Sequence, residues 1–124
     1  MKFCHVTLSV KNMDDSLRFY QEIVRLPLRV RFPVGSGTEI AFLGSGETEI
    51  ELICSDAYTP QDRAIIGVGI SLGFVTESLD ATIAFVREKG YETDGIIQSP
   101  NPSVSFFFAK DPDGYTIQFV KNNS

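Results

Sequence analysis

The chain has 124 residues, 43% of them hydrophobic and 22% charged, and a net charge of −5. That length suits one packed domain or two small modules sharing a core. The acidic balance argues against a nucleic-acid partner, and no apolar run approaches the ~20 residues of a membrane span or forms a signal-peptide core, so a cytoplasmic protein is expected.

Residues 3–10, within "KFCHVTLSV", alternate as a half-buried strand and carry the single histidine, His5. "NMDDSLRFYQEIV" (12–24) predicts a helix, with Asn12 as its cap, Asp14 and Asp15 in the first turn, and Leu17, Tyr20 and Val24 on one face. "LRVRF" (28–32), "TEIAFLG" (38–44) and "ETEIELIC" (47–54) then read as three strands separated by Gly/Ser turns. Ser55 to Asp62, with Pro60, is the natural connector to the second half of the chain.

The same order then recurs. "IIGVGISLGFV" (65–75) predicts a strand and "ESLDATIAFVREK" (77–89) a helix stopped by Gly90. "ETDGIIQS" (92–99) is a weak strand and "SVSFFFA" (103–109) a strong one. Asp111-Pro112-Asp113-Gly114 then turns into "YTIQFV" (115–120). The chain thus reads β-α-β-β-β twice, with modules at about 1–55 and 64–124 of a single domain. Matching the first strands places His5 opposite Gly69, and matching the last strands places Glu51 opposite Gln118. The fold class is α+β: two βαβββ modules forming a cupped mixed sheet with helices on its outer face.

Strand alternation sorts the side chains. Cys4, Val6, Leu8 and Val10 should pack under the helices, leaving His5, Thr7 and Ser9 on the other face. Glu49, Glu51 and Ile53 share that second face, as do Thr116, Gln118 and Val120. On the 65–75 strand, Gly67, Gly69, Ser71 and Gly73 leave the same face nearly bare, either for close packing of the modules or for a ligand. Ile40, Phe42, Phe106 and Phe108 are candidate apolar walls of a small-molecule pocket, whereas Phe107 belongs to the helix-packed core. Arg29 and Arg31 are either charges that protect an edge strand or readers of an anionic substrate at the rim.

Cys4 and Cys54 sit in apolar runs without a CxxC or Cys/His cluster, and are expected as buried, reduced thiols. With His5 and Glu51 side by side on neighbouring strands, the two cysteines would be roughly 13 Å apart, too far for a disulfide.

Together, "HVTLSVKNMDDSLRFYQEIV", "EIELI" and "DPDGYTIQFV" resemble the vicinal oxygen chelate superfamily, which includes glyoxalase I, extradiol dioxygenases and bleomycin- and fosfomycin-resistance proteins. The resemblance implies four metal positions, one from the first and one from the last strand of each module: His5, Glu51, Gly69 and Gln118. His5, Glu51 and Gln118 would hold zinc, nickel, manganese or iron, and Glu51 would be the catalytic base. Gly69 offers no ligand, and Gln118 cannot take a proton near neutral pH. Ser9 stands where the glyoxalase I pattern tends to carry an arginine, so an efficient lactoylglutathione lyase is not expected.

Two functions from different classes are compatible with these residues. One is a metal-dependent lyase, isomerase or dioxygenase acting on a small molecule. The other is a metal-free small-molecule-binding or drug-sequestering protein. A homodimer is the expected assembly.

Overall fold

Asn12 begins the first helix as its residue type predicts: its side-chain oxygen accepts from the Asp15 backbone N–H at 2.9 Å. The computed structural model describes residues 1–56, 69–98 and 103–123. Ile66, Gly67 and Val68, together with most of the connector, lie outside the described residues. The chain divides into two compact units, Met1–Arg63 and Ala64–Ser124.

The first unit runs β1 (His5–Ser9), α1 (Met13–Arg18), β2 (Leu28–Val34), β3 (Thr38–Leu43) and β4 (Glu49–Ser55). Its sheet has the order β1-β4-β3-β2, with β1 parallel to β4 and the other pairs antiparallel. After Arg18 the helix widens into a π-type turn over Phe19–Ile23, in which the Val24 N–H reaches back to the Phe19 carbonyl. Widening shifts the buried face. Phe19, Tyr20 and Ile23 are buried while Val24 is only half-buried, so the expected stripe ending at Val24 moves back one residue. Arg25, with φ of 65°, reverses the chain into β2.

The second unit repeats the order with β5 (Ser71–Val75), α2 (Leu79–Glu88), β6 (Ile97–Gln98), β7 (Val104–Lys110) and β8 (Thr116–Asn122). Its sheet order, β5-β8-β7-β6, matches that of the first unit. Ser78 caps α2 as Asn12 caps α1, and Gly90 follows α2 with φ of 92°. Among the described residues of the weak strand expected at 92–99, two pair, Ile97 and Gln98, and one bridge joins Thr93 to Ala109, while Ser99 lies outside the described residues. The Asp111–Gly114 segment is a turn built by the Asp111 carboxylate, which accepts from the Asp113 and Tyr115 N–H groups at 2.9 Å each.

Each sheet buries one face. Leu8, Ala41, Leu43, Ile50 and Leu52 form the buried side of the first, and Ser105, Phe107, Ala109, Ile117 and Phe119 that of the second. Phe107 is fully buried against Phe119, with ring centroids 5.0 Å apart, as its place in the alternation requires. The cysteines depart from expectation. Both are free thiols, but Cys4 is exposed and Cys54 half-buried. Cys4 precedes the paired part of β1, beyond the buried run that begins at Leu8, so nothing covers it as Leu8 and Val10 are covered.

Candidate functional site

On the unburied face of the first sheet, strand register decides which polar groups meet. His5 pairs with Glu49 and Thr7 with Glu51, so His5 and Glu51 are diagonal neighbours on adjacent parallel strands, not the side-by-side pair expected. The diagonal is within reach of an imidazole. His5 Nε2 lies 3.5 Å from Glu51 Oε1, with the two side chains 39% and 16% exposed. The same carboxylate oxygen accepts from the Thr7 hydroxyl at 2.5 Å. With the true register Cys4 and Cys54 are six residues out of step, further apart than expected.

Phe42, opposite Glu51 on β3, meets the His5 ring edge-on at 5.7 Å and stacks near-parallel on Phe32 at 6.5 Å. Ile40 lies on the same face, two residues along. Of the candidate apolar residues, Ile40 and Phe42 thus lie on this face together with Phe32, which the alternation of "LRVRF" marks but the sequence candidates omit.

The two arginines of β2 separate. A β-bulge between Leu28 and Val30 interrupts the register with β3, and an inserted residue turns Arg29 to the His5 face. There its guanidinium stands over Phe42, 5.2 Å from the ring centre, and grips Glu49 through Nε–Oε2 at 2.5 Å and Nη2–Oε1 at 3.0 Å. Arg31 points to the other face. It binds Glu39 at 2.7 and 3.0 Å and Asp14 of α1 at 3.0 Å, clamping the helix to the sheet edge. The perfect alternation of "LRVRF" predicts one face for both arginines; the bulge overrides it.

The hydrogen bond from Arg29 holds the Glu49 carboxyl below the usual carboxylate range, with the charges of Arg29 and His5 adding to the effect. The stabilisation from the pair is accordingly present above the ordinary carboxylate range and fades as pH falls through the lowered value. Arg29→Met is expected to return Glu49 toward its ordinary range. Carboxyl ¹³C titration of both proteins measures this, and an unmoved Glu49 would show that the pair does not form in solution.

In the second unit the equivalent face is chemically different. Gly73 pairs with Gln118 as Thr7 pairs with Glu51, and Ser71 pairs with Thr116 as His5 pairs with Glu49. The residue equivalent to His5 is therefore Ser71, not Gly69, and the equally spaced helix caps Asn12 and Ser78 give the same alignment. Because sheet faces repeat every two residues, sliding the match by two preserves the apolar pattern and conceals the error. Phe108 lies opposite Gln118, and Phe106 meets Phe108 edge-on at 5.4 Å.

His5 and Glu51 suit a divalent ion as two of its donors. Two such atoms, each ~2.1 Å from one metal, stand about 3–3.5 Å apart, close to the separation found here. No group of three or more His, Cys, Asp or Glu side chains that could hold a metal occurs among the described residues. At the corresponding register positions the second unit carries a hydroxyl and an amide, Ser71 and Gln118, where the first carries an imidazole and a carboxylate. His5 and Glu51 alone are two donors, which fits a weakly held ion.

Known proteins resemble this chain over its whole length. A family model described as Glyoxalase/Bleomycin resistance protein/Dioxygenase superfamily matches residues 2–119. A probable lactoylglutathione lyase from Synechocystis sp. is 31% identical over 134 residues, covering 100% of this chain and 98% of the relative. The crystal structure of a glyoxalase family protein from Bacillus cereus superposes with a TM-score of 0.85 at 20% identity, covering 100% of this chain and 95% of that one. An antibiotic binding protein from Streptomyces sp., TnmS3, gives a TM-score of 0.74 at 21% identity over 98% and 96% of the two chains.

Proposed function

From a chain that belongs to the glyoxalase/bleomycin resistance protein/dioxygenase superfamily, we propose a metal-assisted enzyme that moves a proton on a small carbonyl-bearing molecule. The observation that carries this reading is the approach of His5 Nε2 to Glu51 Oε1 at 3.5 Å on an unburied sheet face. His5 and Glu51 would hold zinc, nickel, manganese or iron, and Gln118 is the residue of the second unit at the register position of Glu51. A bound ion would supply Lewis-acid polarisation of the substrate oxygens.

The chain's own residues do the rest. Glu51 accepts the proton from the carbon next to the polarised group, since it is the one titratable base in the proposed set besides the ligand His5. Phe42 and Ile40 provide an apolar wall beside His5 and Glu51 that keeps water from the reacting carbon. Arg29 lines the face as one half of an ion pair. An anionic substrate would have to compete with Glu49 for it, so the arginine is available for anion recognition only at the cost of that pair. Arg31 is committed to the helix clamp on the other face and drops out of the proposed substrate contacts.

Binding without catalysis is a second reading, favoured by one observation: Ser71 and Gln118 replace an imidazole and a carboxylate in the second unit. Metal titration separates the two. Wild-type protein is expected to take up one equivalent of zinc or nickel, and His5→Ala to lose at least the tenfold to hundredfold that even an outer-shell partner is worth. Absence of uptake by the wild type at millimolar ion leaves only the second reading.

A further inference from the structure

We infer that Thr7 is a positioning residue: its hydroxyl fixes Glu51 Oε1 beside His5 Nε2 and so assembles the two donors before any ligand arrives. The inference rests on the role proposed above for His5 and Glu51 and adds a third residue to it.

Three observations converge on Thr7. Its Oγ1 donates to Glu51 Oε1 at 2.5 Å, a charge-assisted bond at the short, strong end of the range. That oxygen is the one 3.5 Å from His5 Nε2, so the bond acts on the atom that matters for the pair. Among the described residues no hydrogen bond is made to the other oxygen, Oε2, which is left to exchange a proton while Oε1 stays pinned. A glutamate on a sheet face has three side-chain torsions to order. A threonine directly opposite, stiff at χ1, settles them from one fixed point.

The duplication supplies an internal control. Thr7 and Glu51 are register partners in the first unit, and Gly73 and Gln118 are register partners in the second. Where the carboxylate is present a hydroxyl faces it, and where an amide replaces the carboxylate the hydroxyl is gone. Among the described residues a Cβ added at Gly73 would meet Gln118 Oε1 alone, at 3.6 Å, an ordinary contact, so no described neighbour requires the glycine. The hydroxyl accompanies the carboxylate it orients.

Thr7→Val removes the hydroxyl while keeping the β-branched shape that suits a strand, and Thr7→Ser restores it. Titration with zinc and nickel is expected to show about tenfold to a hundredfold weaker binding by Thr7→Val, with Thr7→Ser returning to the wild-type value. Thr7→Ala, at this exposed position, provides the same test should the valine variant misfold. In metal-free protein, NMR side-chain couplings of Glu51 should report one rotamer in the wild type and in Thr7→Ser, and averaging in Thr7→Val. Unchanged affinity in Thr7→Val, a serine variant as weak as the valine one, or a Glu51 that keeps its single rotamer without the hydroxyl would each overturn the inference. Should the wild type bind no metal, the proposed function fails by itself and the rotamer measurement alone decides the role of Thr7.

Discussion

Glu51→Gln is expected to lower proton transfer by about 10²- to 10⁴-fold, the usual contribution of a positioned general base. The substitution keeps the side chain's length and an oxygen that can face His5 or accept from Thr7, and removes only the capacity to take a proton. It also converts the first unit into a chemical copy of the second at this position, because Gln118 is the register equivalent of Glu51. The test is deuterium incorporation from heavy water at the carbon next to the carbonyl of a small carbonyl-bearing compound that the protein binds, tracked by NMR. A Glu51→Gln protein that exchanges the proton at the wild-type rate would move the base elsewhere. A wild type that exchanges nothing while binding the compound would point to sequestration. The contrast with His5→Ala is informative, since loss of the imidazole removes a donor and loss of the carboxylate's charge removes a base as well as weakening a donor.

Much of this site is legible in the sequence because it depends on strand parity alone. His5, Thr7, Glu49 and Glu51 share a face by alternation, and Phe42 joins them. What parity cannot supply is stagger. His5 sits opposite Glu49 and not Glu51, and only the hydrogen-bonding register between β1 and β4 distinguishes the two arrangements. The same blindness explains Gly69, which shares parity with Ser71. The helix caps are the signal that resolves it, because Asn12 and Ser78 start equivalent helices and mark a non-periodic point in each module. Arg29 marks another limit. One inserted residue at a bulge reverses the face of everything before it, and "LRVRF" carries no glycine or proline to announce the break. The Thr7 hydroxyl escapes a reading of the sequence for a different reason: threonine is an ordinary strand residue, and its value here comes from one partner across the ladder.

The three consecutive phenylalanines of β7 offer the sharpest test of the face assignment on which both fold and site depend. Phe107→Ala is expected to cost about 3–5 kcal/mol, the range for truncating a buried aromatic side chain. In a domain of this size that corresponds to a fall in melting temperature on the order of 10–20 °C. The physical basis is specific. Phe107 is wholly buried and stacks on Phe119, so its removal leaves a cavity against a ring that keeps only the more distant, tilted Phe74 at 6.4 Å among its described ring contacts. Phe106 and Phe108, one residue either side, point to the other face, touch each other edge-on and are only half-buried. Their replacement by alanine should cost clearly less in stability, and Phe108→Ala should instead weaken ligand binding, because its strand partner is Gln118. Chemical denaturation of the three single variants, with ligand titration of the two that stay folded, gives the comparison. Equal destabilisation by all three would mean that β7 has no distinct core and site faces. A large loss confined to Phe107 would place the core on its side of β7 and leave the half-buried Phe106 and Phe108 side to the ligand titration.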